Sequence, residues 1–209
     1  MKKFKLAALV GLLSIMVAGG SALAGQNGQE SMSGLPILDQ AEKDDLLFLR
    51  EEEKLARDVY LYLYDIWGQW IFANIVASEQ QHMDAVKKLL DKYGLDDPAE
   101  GQLNGVFTNQ FLQKLYYSLT GHGSESGLQA LFVGATIEDM DIVDLQDFLE
   151  QTKKADITRV YENLMKGSRN HLRAFVGNIE LLGETYQPQY LTEEEFEAIV
   201  NSEREIGPY

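Results

Sequence analysis

The sequence predicts an all-helical fold in which two long helical hairpins are joined by a long crossover and followed by a short C-terminal helix. Three observations carry that expectation. From Ile37 onward, apolar residues recur at helical spacing over four long stretches, and nothing shows the sustained alternation of a strand. The breaks fall at Gly68, at Gly94 with Asp97-Pro98, and at Gly183 with Pro188, all usual stop signals. In the middle, Glu100 to Gly127 is Gly-rich and irregular, and long enough to cross from one end of a bundle to the other.

The elements follow in order. Helix one is expected from about Asp39 to Trp67 and helix two from about Gln69 to Tyr93. The crossover carries one short amphipathic piece, Asn109 to Leu119. Helix three is expected from about Leu128 to Gln151 and bent or interrupted at Gly134, because a glycine inside a helix costs about 1 kcal/mol. Helix four should start near Asp156 as N-cap and run to about Leu182. The last helix, LTEEEFEAIV from Leu191, opens with the Thr192 and Glu195 capping pattern.

The amino-terminal residues have the layout of a secretory signal. Lys2, Lys3 and Lys5 precede an apolar run from Leu6 to Ala18, and small residues at Ala22 and Ala24 make an exit. Cleavage is expected after Ala24, giving a signal peptide over 1–24, a flexible polar leader over 25–36 and one helical domain over 37–209. The apolar run is shorter than the roughly 20 residues a spanning helix needs. The mature protein is therefore expected outside the cytoplasm, secreted or periplasmic, with no membrane segment.

Composition narrows the chemistry. With no cysteine, disulfides, thiolate metal sites and cysteine nucleophiles are excluded, so any metal must be held by oxygen and nitrogen. Loss of the three signal lysines takes the formal charge from −15 to −18, which repels nucleic acid and attracts cations.

The helix faces then break their own rule. On helix one, Glu52 falls among Phe48, Leu49, Leu55, Ala56, Val59 and Leu63, with Glu51 and Glu53 expected at the edges or outward. On helix two, Glu79 and His82 sit within a face made by Phe72, Ile75, Val76, Met83, Val86 and Leu90. Three residues apart on a helix, they can approach one ion together. Glu138 is central on helix three among Leu131, Ala135, Ile142, Leu145 and Leu149, with Asp141 at its flank. His171 is central on helix four, where Val160, Leu164, Ala174, Asn178 and Leu182 are expected inward and Ser168 lies one turn earlier. A carboxylate buried alone costs several kcal/mol, so such intruders call for a partner, a proton or a metal. The remaining histidine, His122, lies in the loop GHGSESG and reads as ordinary surface.

The segments REEEKLARDVYLYLYDIWG, FANIVASEQQHMDAVKKLLDKYGLDDP and VYENLMKGSRNHLRAF together resemble an uncharacterised domain-of-unknown-function branch of the ferritin-like superfamily, over about Ile37 to Leu182. The resemblance implies a ferritin-like four-helix bundle. It further implies metal ligands at a glutamate on one helix and Glu-x-x-His on the next, repeated in the second hairpin. Glu52 with Glu79 and His82 matches the first half; Glu138 with His171 matches the second half in part, since Ser168 stands where a bridging glutamate is expected. That departure leaves several arrangements open: Asp141 compensating, one ion, two ions held unequally, or a polar core without metal.

The expected ligands are thus Glu52, Glu79, His82, Glu138 and His171, with iron as one or two ions and manganese or zinc as alternatives. The functions this implies are an oxidase or peroxide-scavenging protein using dioxygen or peroxide, or a metal-binding or interaction scaffold without turnover. Ferritin-like bundles often pair, so a homodimer is expected by analogy.

Overall fold

The computed structural model describes residues 37–207, which form six helices and, among the described residues, no strand. They are α1 (Gln40–Trp67), α2 (Trp70–Tyr93), α3 (Gln110–Gly123), α4 (Gly127–Gln151), α5 (Ala155–Leu181) and α6 (Glu193–Val200). The expected signal segment, 1–24, and leader, 25–36, lie outside the described residues. Among the described residues no helix is long and apolar enough to cross a membrane.

Local chemistry sets the ends. Asp39 caps α1 through a reciprocal capping box with Glu42, and Thr192 does the same for α6 with Glu195. Gly68 closes α1 at a φ of +63°, a backbone that suits glycine and lets the chain reverse into α2 within two residues. Asn109 caps α3 by accepting from the Phe111 and Leu112 amides.

α1 packs along α2 and α4 along α5, and the two hairpins meet through α1 against α4 and α2 against α5. α3 lies over α1 and α4, and α6 rests on α5. Each long helix turns a seam of three-and-four spacing into the common interior. On α1 it runs Leu46, Leu49, Glu53, Ala56, Tyr60, Leu63; on α2, Phe72, Ile75, Glu79, His82, Val86. On α4 it holds Leu131, Glu138, Asp141 and Leu145; on α5, Tyr161, Leu164, Ser168, His171 and Phe175. Every one of these residues is buried, and each fully buried leucine or phenylalanine contributes about 1.5–3 kcal/mol. The polar members occupy the middle of each seam, so the apolar layers above and below hold them in place.

Several expectations are corrected. α4 is continuous through Gly134; the glycine is there because a Cβ would come 2.3 Å from the Phe175 ring, so it serves close packing rather than a bend. α5 begins at Ala155 after Lys154, and Asp156 is no cap: it binds Lys92 at 2.6 Å and the Tyr93 hydroxyl at 2.8 Å. The inner face of α5 is rotated from the expected one, with Ala174 and Leu182 exposed and Tyr161, Phe175 and Ile179 buried.

The largest correction concerns Glu51 and Glu53, expected at the edges or outward but both buried. α1 has no broad solvent face here because α2, α4 and the crossover enclose it. Glu51 accepts from the Thr108 amide and hydroxyl and from the Asn109 amide, which pins the crossover. Lys54, also buried, pairs with Asp58 at 2.5 Å and donates to the Leu103 and Val106 carbonyls.

Candidate metal centre

Two groups of acidic and imidazole side chains meet in the middle layer. Glu53, Glu79 and His82 form one; Glu79, Glu138 and His171 form the other; in each, one ligand atom per residue lies within 4.8 Å of the rest. Glu79 belongs to both. His82 Nδ1 stands 2.8 Å from Glu79 Oε2 and 3.2 Å from Glu53 Oε2. His171 Nδ1 stands 2.8 Å from Glu79 Oε1 and 3.4 Å from Glu138 Oε2. The two imidazoles are stacked, with centroids 5.7 Å apart.

Four helices supply these residues, which is why the arrangement is absent from any one segment of chain. Gly167 on α5 makes room for His82, since a Cβ there would come 2.4 Å from its ring. Tyr60, packed among Phe72 and Phe175, donates to Glu138 Oε1 at 2.6 Å and fixes that carboxylate.

The electrostatics follow from burial against pairing. Burial acts to raise the Glu79 carboxyl, but the His82 and His171 imidazoles outweigh it and hold Glu79 well below the usual carboxylate range. Burial pushes Glu53 up to about 7 against the opposing pull of His82. Burial also raises Glu138, against His171. Burial acts to lower both histidines, yet Glu79 with Glu53 raises His82 well above its ordinary value, and Glu79 with Glu138 raises His171 to about 10. Without a metal, the cluster is an ionic network centred on Glu79.

The buried oxygens Glu53 Oε1, Glu138 Oε2 and both of Glu79 receive no aligned hydrogen bond. Two imidazole nitrogens nevertheless stand 2.8 Å from Glu79, so its oxygens are compensated by charge at close range. Oxygen and imidazole donors of this kind could hold a metal ion.

Of the five expected ligands, the structure brings Glu79, His82, Glu138 and His171 together. Glu52 is not in either group: it points to Asp144 and Asp141 on α4, and Glu53 takes the place expected for it. The signal for Glu53 was present in the three-and-four seam Leu46, Leu49, Glu53, Ala56, Tyr60, Leu63, a cleaner stripe than the one drawn through Glu52. Ser168 is buried but donates to the Leu164 carbonyl one turn back, away from the centre. Asp141 is buried on the α4 seam with both oxygens lacking a hydrogen bond.

Residues 42–203 match the family described as uncharacterized protein domain DUF2202. An uncharacterized protein of Methanocaldococcus jannaschii is 52% identical over 180 residues, covering 85% of this chain and 97% of that one. The crystal structure of a hypothetical protein from Methanococcus jannaschii superposes with a TM-score of 0.80 at 52% identity, covering 83% of this chain and 100% of the other. The middle layer of Glu53, Glu79, His82, Glu138 and His171 therefore lies wholly within the matched region, and the chain belongs to the DUF2202 family.

Proposed function

We propose that Glu53, Glu79, His82, Glu138 and His171 form a two-ion centre of the ferritin-like, di-iron kind in an exported protein that oxidises ferrous iron or scavenges peroxide. One observation carries this reading: Glu79 is common to two groups, each with its own glutamate and its own histidine. Glu53 with His82 would hold one ion, Glu138 with His171 the other, and Glu79 both. Iron, when bound, would supply one-electron redox chemistry toward dioxygen or peroxide. Manganese or zinc suits the same donors.

The chain's own residues do the rest. The Tyr60 hydroxyl orients Glu138, and the Tyr60, Phe72 and Phe175 rings wall the centre against bulk water on one side. Export rests on the lysines and apolar run that precede Ala24. Ser168, bonded to its own helix, supports a second reading in which the site holds ions without turnover, because one bridging carboxylate is lacking.

Metal analysis of the purified chain coupled to a ferrous oxidation assay separates the readings. The expected result is about two ions per chain at the centre and turnover that Glu79→Ala abolishes. Metal bound at the centre without turnover would favour the holder, and a centre that takes up no metal would sink both.

A further inference from the structure

Beside the centre, α2 and α5 part to leave a cavity of about 530 Å³. Two contacts fix the register of its walls. At one end Lys92 of α2 binds Asp156 of α5 at 2.6 Å; at the other, a Cβ on Gly167 of α5 would come 2.4 Å from His82 Nε2. The two helices therefore run antiparallel over about 15 Å between these points. Lys88 falls on the turn facing Arg159 and Val160, and Ala85 on the turn facing Asn163 and Leu164. Those six residues line the cavity together with His82.

The lining divides by chemistry. Leu89 and Leu164 are buried and make an apolar floor with Ala85 and Val160. Lys88 and Arg159 are exposed at the rim, and among the described residues neither side chain forms an ion pair or a hydrogen bond. The two acids of the lining are engaged: Asp156 by Lys92 and the Tyr93 hydroxyl, and Asp84 by Gln80, which Arg57 of α1 holds at 2.6 Å. Two uncommitted cations thus face each other above an apolar floor, in a chain whose formal charge is −15. Paired cations of this kind concentrate anions locally and repel metal cations. At the inner end stands His82, whose Nδ1 faces Glu53 and Glu79 while its Nε2 edge faces α5.

We propose that this groove binds a small organic anion, a carboxylate or phosphate carried on a partly apolar body. The anionic group lies between Lys88 and Arg159, and the body covers Leu89, Val160 and Leu164. The volume suits a molecule of metabolite size. Arg159 offers a planar fork and Lys88 a point charge, both fitted to an oxyanion, and the Gln81 and Asn163 amides add hydrogen-bond donors. The bound molecule reaches His82, which places an organic ligand next to the centre. Only that last consequence rests on the two-ion reading.

Calorimetric titration of the purified full chain with benzoate and with phenyl phosphate tests the proposal, and the methyl signals of Leu89, Val160 and Leu164 after chelation give the place of binding. Both probes are expected to bind with a Kd of about 1 mM or tighter and to shift those signals. Lys88→Gln combined with Arg159→Gln should weaken both about tenfold, and since both positions are exposed a melting curve should show the variant folded. Lys87→Gln, which removes a lysine that pairs with Asp91 and does not line the cavity, should leave the affinities unchanged. Benzyl alcohol binding as tightly as benzoate would overturn the anion clasp, and inorganic phosphate binding as tightly as phenyl phosphate would overturn the apolar floor. Absence of any methyl shift would overturn the groove itself. Loss of probe binding alongside metal uptake at Glu79 sinks the groove and spares the centre, and probe binding by a chain that takes up no metal does the reverse.

Discussion

Around Glu79, buried acids face two imidazoles, whereas around Glu52, buried acids face only one another. The first set draws on α1, α2, α4 and α5 and the second on α1 and α4 alone. Their charge states diverge too. Glu79 stays ionised because His82 and His171 overcome its burial, while Glu52 and Asp141 are raised well above the usual carboxylate range by burial and by neighbouring acids. Burial alone therefore does not decide what a buried carboxylate does; the sign of its nearest partners does. The compensated set is a folded ionic network, and the second set offsets its burial by holding protons.

Breaking the compensated set should have the largest effect. Gly167→Ala would drive a methyl to 2.4 Å from the His82 ring and force the imidazole off Glu53 and Glu79. Urea unfolding of the metal-free protein should show a loss of about 1–3 kcal/mol. Metal content should fall on the Glu53 and His82 side and persist on the His171 side, which histidine NMR or metal-edge spectroscopy would resolve. Unchanged stability and full occupancy would mean that His82's placement does not matter to the balance.

Relieving the second set should act in the opposite direction. Asp144 is raised by burial to about 6, so the folded state keeps its proton to higher pH than the unfolded chain, whose value is about 3.9. Its contribution is fully present below about pH 4 and is lost as pH rises through about 6. Metal-free Asp144→Asn should therefore be more stable than wild type by about 1–2 kcal/mol at pH 7 and no more stable at pH 4. Chemical unfolding at the two pH values gives the answer. A destabilised variant at pH 7 would show that the Asp144 charge is already neutralised in the metal-free fold.

These two sets also mark where the sequence was legible. The helix ends at Gly68, Gly94 and Thr192 were readable because capping chemistry is local. Glu79 and His82 were readable because both lie on one seam of α2, a helix with a solvent side, so apolar and polar residues separate cleanly. On α1 the same reading placed Glu52 in the centre and Glu53 outside it. There Arg50, Glu51, Glu52, Glu53 and Lys54 are buried in succession, since the crossover and α4 cover what would otherwise be the polar face. Glu51 and Lys54 serve crossover amides and carbonyls that are more than 45 positions away, and no helical wheel contains them. Asp139 is the parallel case on α4, accepting the Gln189, Tyr190 and Leu191 amides and the Tyr186 hydroxyl. A helix enclosed on all sides loses the contrast on which face assignment depends.

The smallest effect distinguishes two buried tyrosines. Tyr60 donates to Glu138 at 2.6 Å, whereas the Tyr161 hydroxyl is buried without a hydrogen bond. Burial, with Glu138 next, raises Tyr60 well above its ordinary value, so it remains a neutral donor throughout. Its hydrogen bond is one of the influences that draw Glu138 back down against burial. Tyr60→Phe should cost about 1 kcal/mol while Glu138 is ionised, and less in acid, because a bond to a charged acceptor is stronger than one to a neutral carboxyl. Tyr161→Phe removes an unpaired hydroxyl and should be neutral or slightly stabilising at every pH. Parallel urea curves for the two variants across pH 4 to 8 would show this, with only Tyr60→Phe tracking a carboxyl titration. Equal behaviour of the two would mean that the Tyr60 contact adds nothing to the charge balance of the centre.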